Sequence, residues 1–144
     1  MRVRSAPIRH FVDTSIAIAS LNLTPEQLAK DYDTLGLFFE DFAIRDLSIY
    51  ATALGGEIYH YRDSSGAECD CVMTLDDGRW GLIEIKLGGS DAIKKGVSSL
   101  QQVAKKIDPK RHGKPSFMMI LTACGPALKT KEGVHVVPIN CLRA

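Results

Sequence analysis

The stretch GLIEIKLGG, residues 81 to 89, sets an acid, Glu84, and a base, Lys86, two positions apart in an otherwise apolar run. In a strand such neighbours share a face at about 7 Å, so both leave the same surface. A carboxylate placed there can hold a cation, and an ammonium beside it can position a nucleophile or stabilise developing negative charge. A second acid, Asp70, lies in the preceding run, AECDCVMTL at residues 67 to 75. A third, Glu40, shares a helical stripe with Ala43, Leu47, Ala51 and Leu54, side chains that should face a core. Burying an unpaired carboxylate is costly, so each of these acids calls for a donor, a cation or an exit to solvent.

Register decides whether they meet. Asp76-Asp77-Gly78 separates the two runs. A three-residue loop with Gly78 in the left-handed conformation pairs Leu75 with Arg79, Asp70 with Glu84 and Glu68 with Lys86. A two-residue Asp77-Gly78 loop instead pairs Cys71 with Glu84 and breaks the cluster. Strict alternation puts Ala67, Cys69, Cys71, Met73 and Leu75 on one face and Glu68, Asp70, Val72 and Thr74 on the other, with Trp80, Leu82, Glu84 and Lys86 together on the next strand. In the first register two carboxylates face each other at about 5 Å and repel unless a proton, a lysine or a divalent cation intervenes. Oxygen ligands of this kind suit magnesium or manganese. Such an ion would lower the pKa of a bound water and neutralise a phosphoryl group, with Lys86 steadying the nucleophile or the anionic charge.

The elements that must position these groups follow from periodicity and punctuation. Residues 12 to 23 read as a short helix capped by Asp13 or Thr14, and LTPEQLAKDY as a second with Pro25 in its first turn. A long helix from about residue 34 to 54 stops at Gly55-Gly56. Three strands form a meander, EIYHY, AECDCVMTL and RWGLIEIKL, joined by RDSSG and DDG turns. Ser90 or Asp91 caps a helix reaching Ile107, whose apolar stripe is Ile93, Val97, Leu100, Ala104 and Ile107. SFMMILT and VHVVPI close the chain as strands around a polar loop. This order predicts one α/β domain spanning residues 1 to 144, with a central mixed sheet flanked by helices and residues 10 to 32 as a helical lead-in.

Composition bounds the function. A chain of 144 residues, 45% hydrophobic and 24% charged, is that of a soluble globular domain. No apolar run approaches the roughly 20 residues of a membrane span, and MRVRSAPIRHFVD lacks a signal peptide's apolar centre, so a cytoplasmic location and no membrane partner are expected. Cys69, Cys71, Cys124 and Cys141 lack the paired CxxC spacing of a zinc site and read as reduced, mostly buried thiols. Residues 1 to 89 carry 8 basic and 14 acidic side chains, whereas residues 90 to 144 carry 10 basic and 3 acidic. In that basic half Lys94, Lys95, Lys105, Lys106, Lys110 and Arg111 mark a candidate phosphate-binding surface for nucleic acid.

Glu40 on a helix, Asp70 on the second strand and Glu84-Ile85-Lys86 on the third resemble the PD-(D/E)XK phosphodiesterase superfamily, with its restriction-endonuclease-like fold. The blocks FVDTSIAIASL, LGLFFEDFAIRDL, YHYRDSSGAECDCVM and WGLIEIKLG are similar to domain of unknown function 4143, carried C-terminal to prokaryotic AAA-type ATPases. That domain's usual tyrosine-arginine-aspartate, glycine turn and glutamate-any-aspartate are matched by Tyr61, Arg62, Asp63, Gly66, Glu68 and Asp70, while Cys69 stands where the superfamily's proline would be. The resemblance implies a magnesium- or manganese-dependent nuclease acting on DNA or RNA. Glu40, Asp70, Glu84 and Lys86 would be catalytic, the three acids would be ligands, and Arg62, Glu68 and Gln101 auxiliary. It also implies an AAA-type ATPase as partner in full-length relatives. No GxxxxGK[ST] phosphate loop occurs in this chain, so no ATP site is expected. The alternative reading is an inactive module of the same fold, its acids and lysine forming an internal salt-bridge network, that docks nucleic acid or a protein partner for an ATPase.

Overall fold

The computed structural model describes residues 9–143; the first eight residues, with the basic start of the chain, lie outside them. The elements are α1 (Thr14–Ser20), α2 (Pro25–Leu28), α3 (Tyr32–Ala53), β1 (Gly56–Arg62), β2 (Glu68–Leu75), β3 (Trp80–Lys86), α4 (Ser90–Lys106), α5 (Pro109–His112), β4 (Phe117–Thr122), β5 (Leu128–Lys129) and β6 (His135–Pro138). The six strands form one mixed sheet in the order β1-β2-β3-β4-β6-β5. Parallel pairs β3–β4 and β4–β6 sit at its centre, and the remaining pairs are antiparallel. The α/β architecture expected from the order of elements is therefore the one observed.

Two helices cover the two faces. The α3 side chains Ala43, Ile44, Leu47 and Ala51 pack on Cys71, Met73, Ile83, Ile85, Met119 and Leu121. On the other face Val97, Leu100 and Val103 of α4 pack on Cys69, Trp80, Leu82, Ile120, Val134 and Val136. Six consecutive residues of β3 are buried, as in a central strand with both faces covered; only Lys86, at its end, is not. Gly81 on β3 lies beneath the Phe117 ring, where an added Cβ would come within 2.3 Å of a ring carbon. We expect Gly81→Ala to lower stability by about 1–3 kcal/mol, because ring and strand must part to admit the methyl group; an unchanged denaturation midpoint would show that Phe117 swings aside freely.

Local signals account for most boundaries. Asp13 caps α1 by accepting the Ser15 amide hydrogen, and Thr24 and Gln27 form a reciprocal capping box on α2. α2, however, is a single turn rather than the ten-residue helix expected. α3 ends where Gly55 adopts φ +69°, and Leu54, expected in the buried stripe, is 65% exposed because it lies past the last packed turn. Gly89, not Ser90 or Asp91, is the N-cap of α4, and no side chain caps that helix. α5 and β5 arise in stretches that carried no periodic signal. Cys69 and Cys71 are buried, but Cys124 and Cys141 are exposed, so the thiols divide evenly.

The departure with most consequence lies in β2. Tyr59 pairs with Val72 but Tyr61 with Cys69, so β2 carries one extra residue opposite His60. This bulge breaks the alternation: Cys71 and Met73 face α3, whereas Cys69 turns to the α4 side.

Candidate active site

The β2–β3 hairpin takes the three-residue loop. Gly78 has φ +86°, its amide hydrogen bonds to the Leu75 carbonyl at 2.9 Å, and the ladder runs from Thr74 opposite Trp80 to Cys71 opposite Ile83. The same register brings Asp70 to the level of Glu84. There, beside the bulge, the backbone ladder with β3 stops. Side chains take over its hydrogen bonds: the Asp70 Oδ2 accepts the Ile85 amide hydrogen at 2.7 Å, and the Cys69 thiol donates to the Ile83 carbonyl at 3.3 Å. Burial pushes that thiol up to about 12, so Cys69 acts as a neutral donor and not as a nucleophile.

Lys86 reaches into this fork. Its Nζ donates to Glu84 Oε1 at 2.9 Å and lies 3.6 Å from Asp70 Oδ2. Glu84 is 8% exposed, and its Oε2 is buried with no hydrogen-bond partner among the described residues. A Cβ added at Gly96 of α4 would stand 3.4 Å from Glu84 Cγ and 3.2 Å from Ile120 Cδ1, so the absence of a side chain at Gly96 makes room for the carboxylate. The Thr122 hydroxyl, opposite Lys86 on β4, is likewise buried without a partner. Burial, and then the neighbouring Asp70 charge, push the Glu84 carboxyl up to about 7 against the pull of Lys86. Burial would lower Lys86, but the hydrogen bond to Glu84 and the charges of Asp70, Glu84 and Glu40 outweigh it and raise its pKa.

Glu40 arrives from the opposite face. α3 covers the Ile83–Ile85 side of β3, so Glu40 reaches the cluster around the end of that strand, in a cleft of about 640 Å³ shared with Phe39, Lys86 and Gly88. Burial, and then the Asp70 charge, raise its pKa. Asp70, at the fork, thus acts electrostatically on both acids. Among the described residues no three His, Cys, Asp or Glu side chains gather as a metal-holding group. A divalent ion here would rest on Asp70 and Glu84, with water and substrate oxygens completing its shell, as magnesium commonly accepts. The orphaned Glu84 oxygen fits such an ion.

The auxiliary residues fall elsewhere. Glu68 accepts from His60 Nε2 at 2.8 Å and lies 4.0 Å from Arg62, forming a separate ion pair on β1–β2, and Gln101 is half-buried on α4 with no hydrogen bond to the cluster. Two residues escaped the sequence reading. His60, opposite the bulge, lies near enough to Glu40 to favour its charged form. Asp41 accepts from Thr14 Oγ1, the Phe11 amide and His10, tying the lead-in to α3. Neither role has a local signal, since Glu40 lies 20 positions from His60 and the partners of Asp41 lie 27 to 31 positions away. Of the basic residues, Lys94, Lys95 and Lys105 lie exposed on α4 and Lys110 and Arg111 on α5, but Lys106 is engaged by Asp63 at 2.7 Å and by Ser65. No described helix is long and apolar enough to cross a membrane.

No curated protein and no solved structure matches this chain. A family match does exist, and its span contains all but the first three residues of α3, the whole sheet and every residue of the cluster at the fork, while leaving out α1 and α2. Through that match over residues 35–142, the chain belongs to the family described as Domain of unknown function (DUF4143).

Proposed function

We propose that this domain is a magnesium- or manganese-dependent phosphodiesterase of the PD-(D/E)XK type, cleaving DNA or RNA, and that its relatives work alongside AAA-type ATPases. The observation carrying this reading is the buried, unpartnered Oε2 of Glu84 beside Asp70, with Lys86 donating to the same carboxylate. When bound, the ion supplies Lewis acidity to the phosphoryl group and a more acidic water. Asp70 and Glu84 hold it. Lys86 has three donors and no lone pair, so it orients the attacking water or stabilises the charge that grows on the phosphoryl oxygens. Lys94, Lys95, Lys105, Lys110 and Arg111 bind flanking phosphates.

The Lys86 contacts with both carboxylates also support a second reading, a closed salt-bridge cluster in a module that docks nucleic acid or a protein partner of an ATPase without cleaving. Incubation of plasmid and single-stranded substrates with and without manganese separates the two. Cleavage is expected only with the metal. In a chelator, binding is expected to weaken with salt, each neutralised duplex phosphate adding about 0.9 to the slope of log affinity on log salt. Salt-dependent binding with no cleavage under any metal would establish the docking reading; no binding at low salt would end both for nucleic acid.

A further inference from the structure

α4 leaves part of its sheet face uncovered, over β1 and β2. The segment 106–112 overhangs this area and closes a cleft of about 680 Å³ whose lining includes Tyr61, Val72, Trp80, Ile107, Arg111 and His112. We infer that this cleft takes an unpaired base of single-stranded nucleic acid, stacked against Tyr61, with the adjoining phosphates on Arg111 and Lys110. The inference rests on the reading of the domain as one that acts on nucleic acid, and it names the form of the substrate.

Its chemistry is that of a base site. Tyr59 and Tyr61 alternate on one side of β1, an edge strand, about 7 Å apart, and Tyr59 is 52% exposed. Aromatic side chains spaced along an open strand are stacking platforms that accept any base, because every base has a π-face. Val72, Leu75 and Ile107 give the cleft an apolar lining. The Trp80 Nε1 donates to the His112 carbonyl at 2.7 Å, fixing the overhanging segment as a wall rather than a loose flap. The cleft lies within the range of about 300–1,000 Å³ typical of sites for small organic groups.

Charge complementarity selects the occupant. Arg111 and Lys110 are exposed and have no ion-pair partner among the described residues, with Lys105 and Lys114 nearby in sequence. Of the nearby acids, Asp63 is paired with Lys106, Asp108 caps α5 through the Lys110 amide, and Glu57 accepts from the Tyr59 hydroxyl. An acid-binding rim around an aromatic, apolar lining suits a polyanion that carries flat rings. A duplex keeps its base faces stacked inside and cannot enter. Trp80 and Lys86 lie at opposite ends of β3, about 20 Å apart, so a strand bound here would engage the domain well away from the cluster at the fork.

Trp80 is the only tryptophan, so its emission reports on this cleft alone. In a chelator, which prevents cleavage and leaves the test independent of catalysis, the intact chain is titrated with oligothymidylate, a duplex of equal length, and polyphosphate. Oligothymidylate is expected to change Trp80 emission and to bind at least ten-fold more tightly than the duplex. Tyr61→Ala should weaken it roughly five- to hundred-fold, the cost of losing one base–aromatic stack, while Tyr61→Phe retains it. Arg111→Ala should reduce its salt slope by about 0.7. Tyr59→Ala, at an exposed position, should also weaken oligothymidylate selectively, and it decides the matter if Tyr61→Ala does not fold. Equal affinity for duplex, the same emission change with polyphosphate, or unchanged affinity in the tyrosine variants would overturn the base site.

Discussion

Replacing Lys86 by alanine is expected to cut metal-dependent cleavage by two to three orders of magnitude while leaving manganese binding largely intact. An ammonium cannot ligate a cation, so its removal spares Asp70 and Glu84 as ligands and takes away only the contact to water or to the transition-state charge, a loss of about 3 to 4 kcal/mol. Asp70→Asn should behave differently. Its side-chain oxygen can still accept the Ile85 amide hydrogen, whose present length is 2.7 Å, so the fork should hold its shape. The lost ligand charge should remove metal binding and cleavage together. Calorimetric titration with manganese, run beside the cleavage assay, distinguishes the two variants. Equal cleavage by wild type and Lys86→Ala would mean the activity came from a contaminant.

The second large effect is on stability, in metal-free protein. Glu84 holds its proton more tightly when folded, at about 7, than at its ordinary value of 4.5. Its contribution to stability is therefore fully present below about pH 4.5 and is lost as pH rises through about 7. At 1.36 kcal/mol per unit the loss is on the order of 3 kcal/mol. Glu84→Gln cannot ionise. The difference in unfolding free energy between variant and wild type should accordingly shift in the variant's favour between pH 5 and pH 8, by several degrees of melting temperature. Comparison of the two proteins cancels the groups common to both. A gap independent of pH would show that Glu84 is already ionised at the acid end, with Lys86 dominating its surroundings.

These two expectations depend on one hairpin, and that hairpin was legible in the chain. Asp76-Asp77-Gly78 marks the turn and Gly78 its last position, where positive φ is needed. That admits a three-residue or a two-residue loop; the structure takes the three-residue Leu75–Arg79 closure, and a side-chain period of two then carries that register outward to Asp70 and Glu84. The long helix was legible for a similar reason, since Ala43, Leu47 and Ala51 recur at the helical period and are buried. Family membership likewise depends on blocks of sequence in order. These are short-range properties, in which each residue's preference is expressed within a few positions.

What tertiary structure alone decided is where these pieces meet. The extra residue in β2 is set by pairing with β1, not by any residue type at 69 to 71, and it is this bulge that swings Cys69 to the α4 side and opens the fork into which Asp70 and Lys86 reach. Alternation cannot foresee a break in itself. The parallel placement of β4 beside β3 and β6 beside β4 follows from the α4 crossover and from packing on both faces. That packing assigns Glu40 and Glu84 to opposite sides, although both read as core-facing acids in one dimension. The cleft under residues 106–112 depends on a tryptophan and a carbonyl 32 positions apart. Local sequence determines strand, helix and turn because those are short-range energies; the assembly of the site is a sum of long-range contacts that exists only once the sheet has closed.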